Sequence, residues 1–258
     1  MRPSLPDDFK VPSIDVQAAK AEIRAAGADL KAAGADLKAV GTEMVEKVKP
    51  KLRGYIHQYG FFVALALGIG LVAFADGLEA KIAALIYVLS VAGVLGTSAL
   101  YHRITWSVPA RIRMRKLDHS MIFVMIGGTV TPIALLAVRG TLGIVLLSLV
   151  WGVALAGIIM KLAWISAPKP ISAAIYVVAG LIGVIAVGEL AGTVGLVAVG
   201  GIAFGGLLYI IGAAIYATGR PDPFPTVFGY HEVFHVLVVV AALVHFGVIA
   251  GWVVPLSA

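Results

Sequence analysis

Residues 231–254 read HEVFHVLVVVAALVHFGVIAGWVV, and two patterns overlap there. The first five residues match HExxH, in which two histidines one helical turn apart bind zinc and the glutamate serves as general base. The run that follows is apolar apart from His245 and has the length, roughly 20 residues, that crosses a bilayer. A soluble metalloprotease helix does not continue this way, so the segment reads as a membrane span with polar groups at its mouth.

The rest of the chain agrees. Of 258 residues, 60% are apolar and 13% charged, with a mean hydropathy of +0.99. Soluble domains carry about 25% charge, so composition alone places the chain in a bilayer. Spans are expected at 60–75, 82–102, 118–138, 141–162, 171–189, 193–217 and 231–254, giving an all-α integral membrane fold of seven transmembrane helices. The net charge of +6 does not point to nucleic acid, because the basic residues lie in short loops between apolar runs. Lys47, Lys49, Lys51 and Arg53 precede the first span. Arg103, Arg111, Arg113, Arg115 and Lys116 follow the second, Lys161 and Lys169 the fourth, and Arg220 the sixth. The intervening loops hold Asp76, Glu79 and Lys81, then Arg139, then Glu189. This alternation predicts a cytoplasmic N-terminus and an outside C-terminus. There is no cysteine, which excludes a disulfide frame and any thiolate nucleophile or ligand.

Residues 1–50 are of another kind, and the expected domain boundary lies between 1–50 and the membrane domain 51–258. After a polar start comes AAGADLKAAGADLKAVG, a seven-residue repeat. Val16, Ile23, Leu30, Leu37 and Met44 recur every seven residues, with Ala19, Ala26, Ala33 and Val40 three positions after the first four, a thin heptad stripe. Glu22, Asp29, Asp36 and Glu43 line one flank, and Gly27, Gly34 and Gly41 each weaken the helix by roughly 1 kcal/mol. A marginal helix is expected, able to associate with itself or a partner, or to rest on the membrane.

Ionisable residues inside spans are functional candidates. The loop charges bring His102, at the end of the second span, Asp118 and His119, at the start of the third, and His231 and His235, at the start of the seventh, to one cytoplasmic depth. Ser98 and His102 are four residues apart and share a helix face, as do His231 and His235. Three imidazoles, His102, His231 and His235, suit a tetrahedral zinc (Zn2+) with its fourth position open to water. Asp118 is placed to take a proton from that water, and Ser98 to hold a substrate oxygen. A metalloprotease reading of HEVFH lacks its third ligand: His245 lies about 15 Å further along the helix. Glu232 points about 100° from His231 and is expected to cap or pair near the helix start. His245 reads as a buried hydrogen-bonding residue, His119 as an outer neighbour, and His57, ahead of the first span, carries no signal.

SALYHR (98–103), RKLDHSMIF (115–123), GGTVTP (127–132) and HEVFHVLVVVAALVHF (231–246) together resemble the hemolysin III family of bacterial membrane proteins. That family belongs to the progesterone and adipoQ receptor group, which includes the adiponectin receptors. The resemblance implies a seven-helix bundle in the bacterial cytoplasmic membrane. It also implies a zinc held by His102, His231 and His235, with Asp118 and Ser98 beside it. In the receptor branch a related site is associated with ceramide hydrolysis. The N-terminal extension and Val130, where the family often has an aromatic, depart from the pattern. Two readings of function follow. One is a zinc-dependent hydrolase of lipid amide or ester bonds, with membrane lipids as partners. The other is a receptor- or sensor-like protein, or a cytolysin as the family name suggests, whose zinc is structural or regulatory. A transporter would need ionisable residues along the whole crossing, and only His245 lies deep.

Overall fold

Long apolar runs in lipid must satisfy their backbone groups internally, and the chain does so with helices throughout. The computed structural model describes residues 16–45 and 50–257. The polar start at 1–15 and the loop residues Lys47 and Lys49 lie outside the described residues. Two units are distinguished, Met1–Val45 and Glu46–Ala258. Among the described residues the first holds α1 (Val16–Val45), with Ile23 and Leu30 72% and 74% exposed.

The second unit is built from α2 (Tyr55–Phe74), α3 (Gly77–Arg103), α4 (Val108–Pro132), α5 (Gly140–Ala163), α6 (Lys169–Gly180), α7 (Val187–Thr218) and α8 (Tyr230–Val248). Helix α4 continues as a π-helical stretch, Ile133–Val138, directly after Pro132. Proline lacks the N–H of a regular turn, and a π-turn is one way a helix absorbs that loss. Neighbours in sequence pack together: α2 on α3, α3 on α4, α4 on α5, α6 on α7, α7 on α8. Buried residues of α3, including Tyr87, Val91 and Leu95, form the centre of the apolar core with Leu136 and Ile249.

Six helical segments among the described residues are long and apolar enough to cross a membrane, against seven spans expected. The fifth and sixth expected spans lie inside one segment, Lys169–Thr218, made of α6, a 3-10 stretch Leu181–Ala186 and α7. The helix is broken at Gly195, whose φ of 80° and ψ of 166° lie outside helical space and favour glycine. The other ends also shift. Helix α2 begins at Tyr55 rather than 60, which takes His57 into the helix. Helix α4 begins at Val108, with Ser107 as N-cap, so Asp118 sits in its third turn rather than at its start. Hydropathy starts a span where the charges stop, whereas a helix can carry Arg111, Arg113, Arg115 and Lys116 outside the hydrocarbon.

The basic loops gather at one end of the bundle. The Lys51 and Leu52 amides donate to the Thr226 and Val227 carbonyls, both at 3.1 Å. Lys116 Nζ donates to the Leu162 carbonyl at 2.6 Å, and Lys169 Nζ to the Tyr230 hydroxyl at 2.8 Å. At the far end Arg139 donates to the Leu256 carbonyl at 3.4 Å.

Candidate metal centre and cavity

Two helices deliver three imidazoles to one point. His102 stands in the last turn of α3, and His231 and His235 share a face in the first turns of α8. One ring nitrogen from each lies within 4.8 Å of those of the other two. The Nε2 atoms of His231 and His102 are 3.2 Å apart. Tetrahedral ligands bonded at 2.0–2.1 Å stand about 3.3 Å from one another. The pair therefore has the spacing of two ligands on one ion as well as that of an N–H···N bond. Three neutral nitrogens without a nearby thiolate form a donor set for a divalent ion such as zinc.

Asp118 and Ser98 are buried on the neighbouring helices α4 and α3. Asp118 Oδ2 lies 3.4 Å from His119 Nδ1, and its carboxylate interacts electrostatically with His102 and His57. Ser98, Asp118, His231 and His235 all line one cavity of about 530 Å³, inside the range of roughly 300–1,000 Å³ typical of small-molecule sites. Its other walls are mainly aliphatic. Along α4 and into the π-helical stretch it runs from Asp118 to Ile133, about 22 Å at 1.5 Å per residue. His245 lines the cavity's deeper part, and its Nε2 is 3.0 Å from the Ile202 carbonyl. Leu181 and Val184 line the cavity while remaining about half exposed, so it reaches the outer surface beside the 3-10 stretch.

Glu232 is turned away from the histidine cluster. Its Oε2 accepts the Gly229 N–H at 2.9 Å and so caps the start of α8. Its Oε1 pairs with Arg53 from the turn before α2.

His57 is the site residue that sequence reasoning passed over. Its ring lies flat on His235, with centroids 3.7 Å apart and planes 6° off parallel. It is buried, lines the cavity, and neither nitrogen makes a hydrogen bond of good geometry, although a backbone group of His235 is close. Stacked in this way, His57 braces the His235 ring. The chain can bring α2 this close because Gly54, at φ 84°, has no β-carbon; one there would lie 2.9 Å from that of His102. His57→Ala is expected to weaken metal binding by about tenfold, the low end for supporting groups around a metal. His57→Phe, which keeps a flat ring, is expected to leave it near wild type. Competition with a chelating dye measures both, and equal losses in the two variants would show that stacking is not what matters.

Lys161 was also unforeseen as a buried group. It has no exposed surface, and its Nζ donates to Ser172 Oγ at 2.5 Å, tying α5 to α6.

With this geometry in place, comparison with known proteins is direct. The family model described as haemolysin-III related matches residues 45–246. The chain belongs to the haemolysin-III-related family. This family lies within the progesterone and adipoQ receptor superfamily. A relative named hemolysin-3 homolog, from Bacillus subtilis (strain 168), is 34% identical over 139 residues, which span 54% of this chain and 62% of that protein. Hemolysin-3 of Bacillus cereus is 28% identical over 218 residues, 83% of this chain and 96% of that protein. The haemolysin-III match covers every residue of the histidine cluster, Asp118 and Ser98, and leaves most of α1 outside it.

Proposed function

We propose that this haemolysin-III-related chain is a zinc-dependent hydrolase of lipid amide or ester bonds, working at the cytoplasmic side of a bacterial plasma membrane. The observation that carries the reading is a trio of imidazoles, His102 and His235 buried and His231 part-buried, of which His231 and His235 line a long apolar cavity whose same end holds a carboxylate and a hydroxyl. An acyl chain fits the aliphatic part, and the side opening at Leu181 and Val184 suits entry from lipid.

His102, His231 and His235 would hold the ion. Bound zinc supplies a Lewis acid and lowers the pKa of a water toward about 7. Asp118 accepts the proton lost as water attacks the carbonyl carbon, and returns it to the departing nitrogen or oxygen as the bond to carbon breaks. Ser98, one turn from His102, donates a hydrogen bond to the carbonyl oxygen as negative charge develops there. The products are a fatty acid and the freed amine or alcohol.

This orientation takes the chain to cross the membrane seven times, with the segment Lys169–Thr218 crossing twice. The segment Lys169–Thr218 has 50 residues, about 75 Å as one helix, against a hydrocarbon core of about 30 Å. Its start touches the start of α8 through Lys169 and Tyr230, as expected of a segment that turns back at Gly195. With that turn the basic loops share one side, which is cytoplasmic by the positive-inside rule.

The test is Asp118→Asn. It is expected to retain zinc while release of fatty acid from a panel of lipid amides and esters in detergent micelles falls by at least roughly 100-fold, the usual scale for a general acid–base group. Wild-type protein that carries zinc yet cleaves no member of the panel would favour the non-enzymatic reading, in which the ion holds α3 and α8 together.

A further inference from the structure

The first unit carries a second pattern that the histidine site does not use. Around α1, a large aliphatic residue recurs at one heptad position, Ile23 and Leu30 being the described examples, and both are exposed. On a heptad wheel the positions about 50° to either side hold only small residues: Ala26 and Ala33 on one side, Gly27 and Gly34 on the other. A β-carbon added at either glycine would meet nothing within 4 Å. The next positions, about 100° from the aliphatic row, are of opposite sign. Glu22, Asp29 and Asp36 form the acidic flank, and Arg24 and Lys31 the basic flank.

We propose that α1 pairs with α1 of a second copy of this chain, in parallel and in register along the Ile23–Leu30 row. The charges select both partner and direction. When two identical helices run parallel about a twofold axis along their length, the acidic flank of each faces the basic flank of the other. When they run antiparallel, acid faces acid and base faces base. Small flanking residues let the two backbones approach closely, so Arg24 and Lys31 reach Glu22, Asp29 and Asp36 of the partner copy. Copies inserted in one membrane with a common orientation have their N-termini on the same side, which suits parallel pairing. A bilayer surface is the weaker occupant. Residues 16–45 hold four basic residues, Lys20, Arg24, Lys31 and Lys38, and four acidic ones, Glu22, Asp29, Asp36 and Glu43. Four minus four leaves no net charge, whereas surface-lying helices gain from a basic polar face.

The absence of cysteine gives a clean experiment on the full chain in detergent or nanodiscs. Leu30→Cys and Ile23→Cys each introduce a sole thiol on the pairing row, and Ala28→Cys places one on the opposite face. In a parallel, in-register pair each row position meets itself near the about 4.4–6.8 Å Cα separation a disulfide accepts. Mild oxidation is expected to give covalent dimer with Leu30→Cys and Ile23→Cys and none with Ala28→Cys. Adding Glu22→Lys and Asp29→Lys to Leu30→Cys should abolish the dimer, and further adding Arg24→Glu and Lys31→Glu should restore it. Equal cross-linking at all three sites, or no effect of the charge changes, would overturn the proposal. So would a Leu30→Cys thiol shielded from a water-soluble maleimide in vesicles of anionic lipid without forming dimer, which would assign α1 to the membrane surface.

Discussion

Protein purified in detergent is expected to carry about one zinc ion per chain, and the double variant His231→Ala/His235→Ala none, the usual stoichiometry of a single three-histidine site. Mass spectrometry of the metal content decides it. The two substitutions remove two of three nitrogen donors while leaving Glu232, Arg53 and the α8 cap in place. His102→Ala is the sharper single change because its ligand comes from α3, outside the HEVFH sequence. Loss of metal in His102→Ala separates a two-helix site from a metalloprotease-type helix, which would keep its HExxH pair. Full occupancy in His102→Ala would remove that ligand from the site, and the 3.2 Å approach of His102 to His231 would then be a hydrogen bond between imidazole tautomers. Absence of metal from wild type would leave the whole cluster as such a network.

How much of this could be read from the chain depends on the range of each signal. Helical periodicity and bilayer length act over tens of residues, so the helical segments were legible, and the meeting of α3 and α8 followed from counting loops by charge. The start of α4 was not, because hydropathy sees Arg111–Lys116 as a loop while the helix simply extends out of the apolar zone with those charges. The expected count of seven spans met six segments because Lys169–Thr218 runs on through Gly195, where one residue leaves helical geometry and no loop sequence marks the kink. His57 was missed because its neighbours give no spacing pattern and its partner, His235, is 178 positions away in sequence. The role of Glu232 was legible in part: its place three residues after Gly229 suggests a cap, but nothing local announces Arg53.

Arg53→Met is expected to lower the melting temperature in detergent by roughly 10 °C, which corresponds to breaking a buried ion pair worth about 3 kcal/mol or more in a domain of this size. Glu232 is only 1% exposed and Arg53 is part-buried, so the arginine cannot be replaced by water without cost. The carboxylate would keep the Gly229 N–H and lose its cation. Removing both charges together should be milder. In Arg53→Met/Glu232→Gln, the glutamine oxygen still caps α8 and no unpaired charge is left inside, so most of the lost stability returns. Glu232 lies directly after His231 and three residues before His235, and Arg53 stands four residues before His57. The pair therefore clamps the first turn of α8 to the entry of α2, the two places that hold His231, His235 and the ring stacked on His235. Arg53→Met should for that reason also weaken zinc binding, and the double variant should recover both properties in parallel. Recovery of stability without recovery of metal affinity would mean that the clamp holds the fold but does not set the ligands.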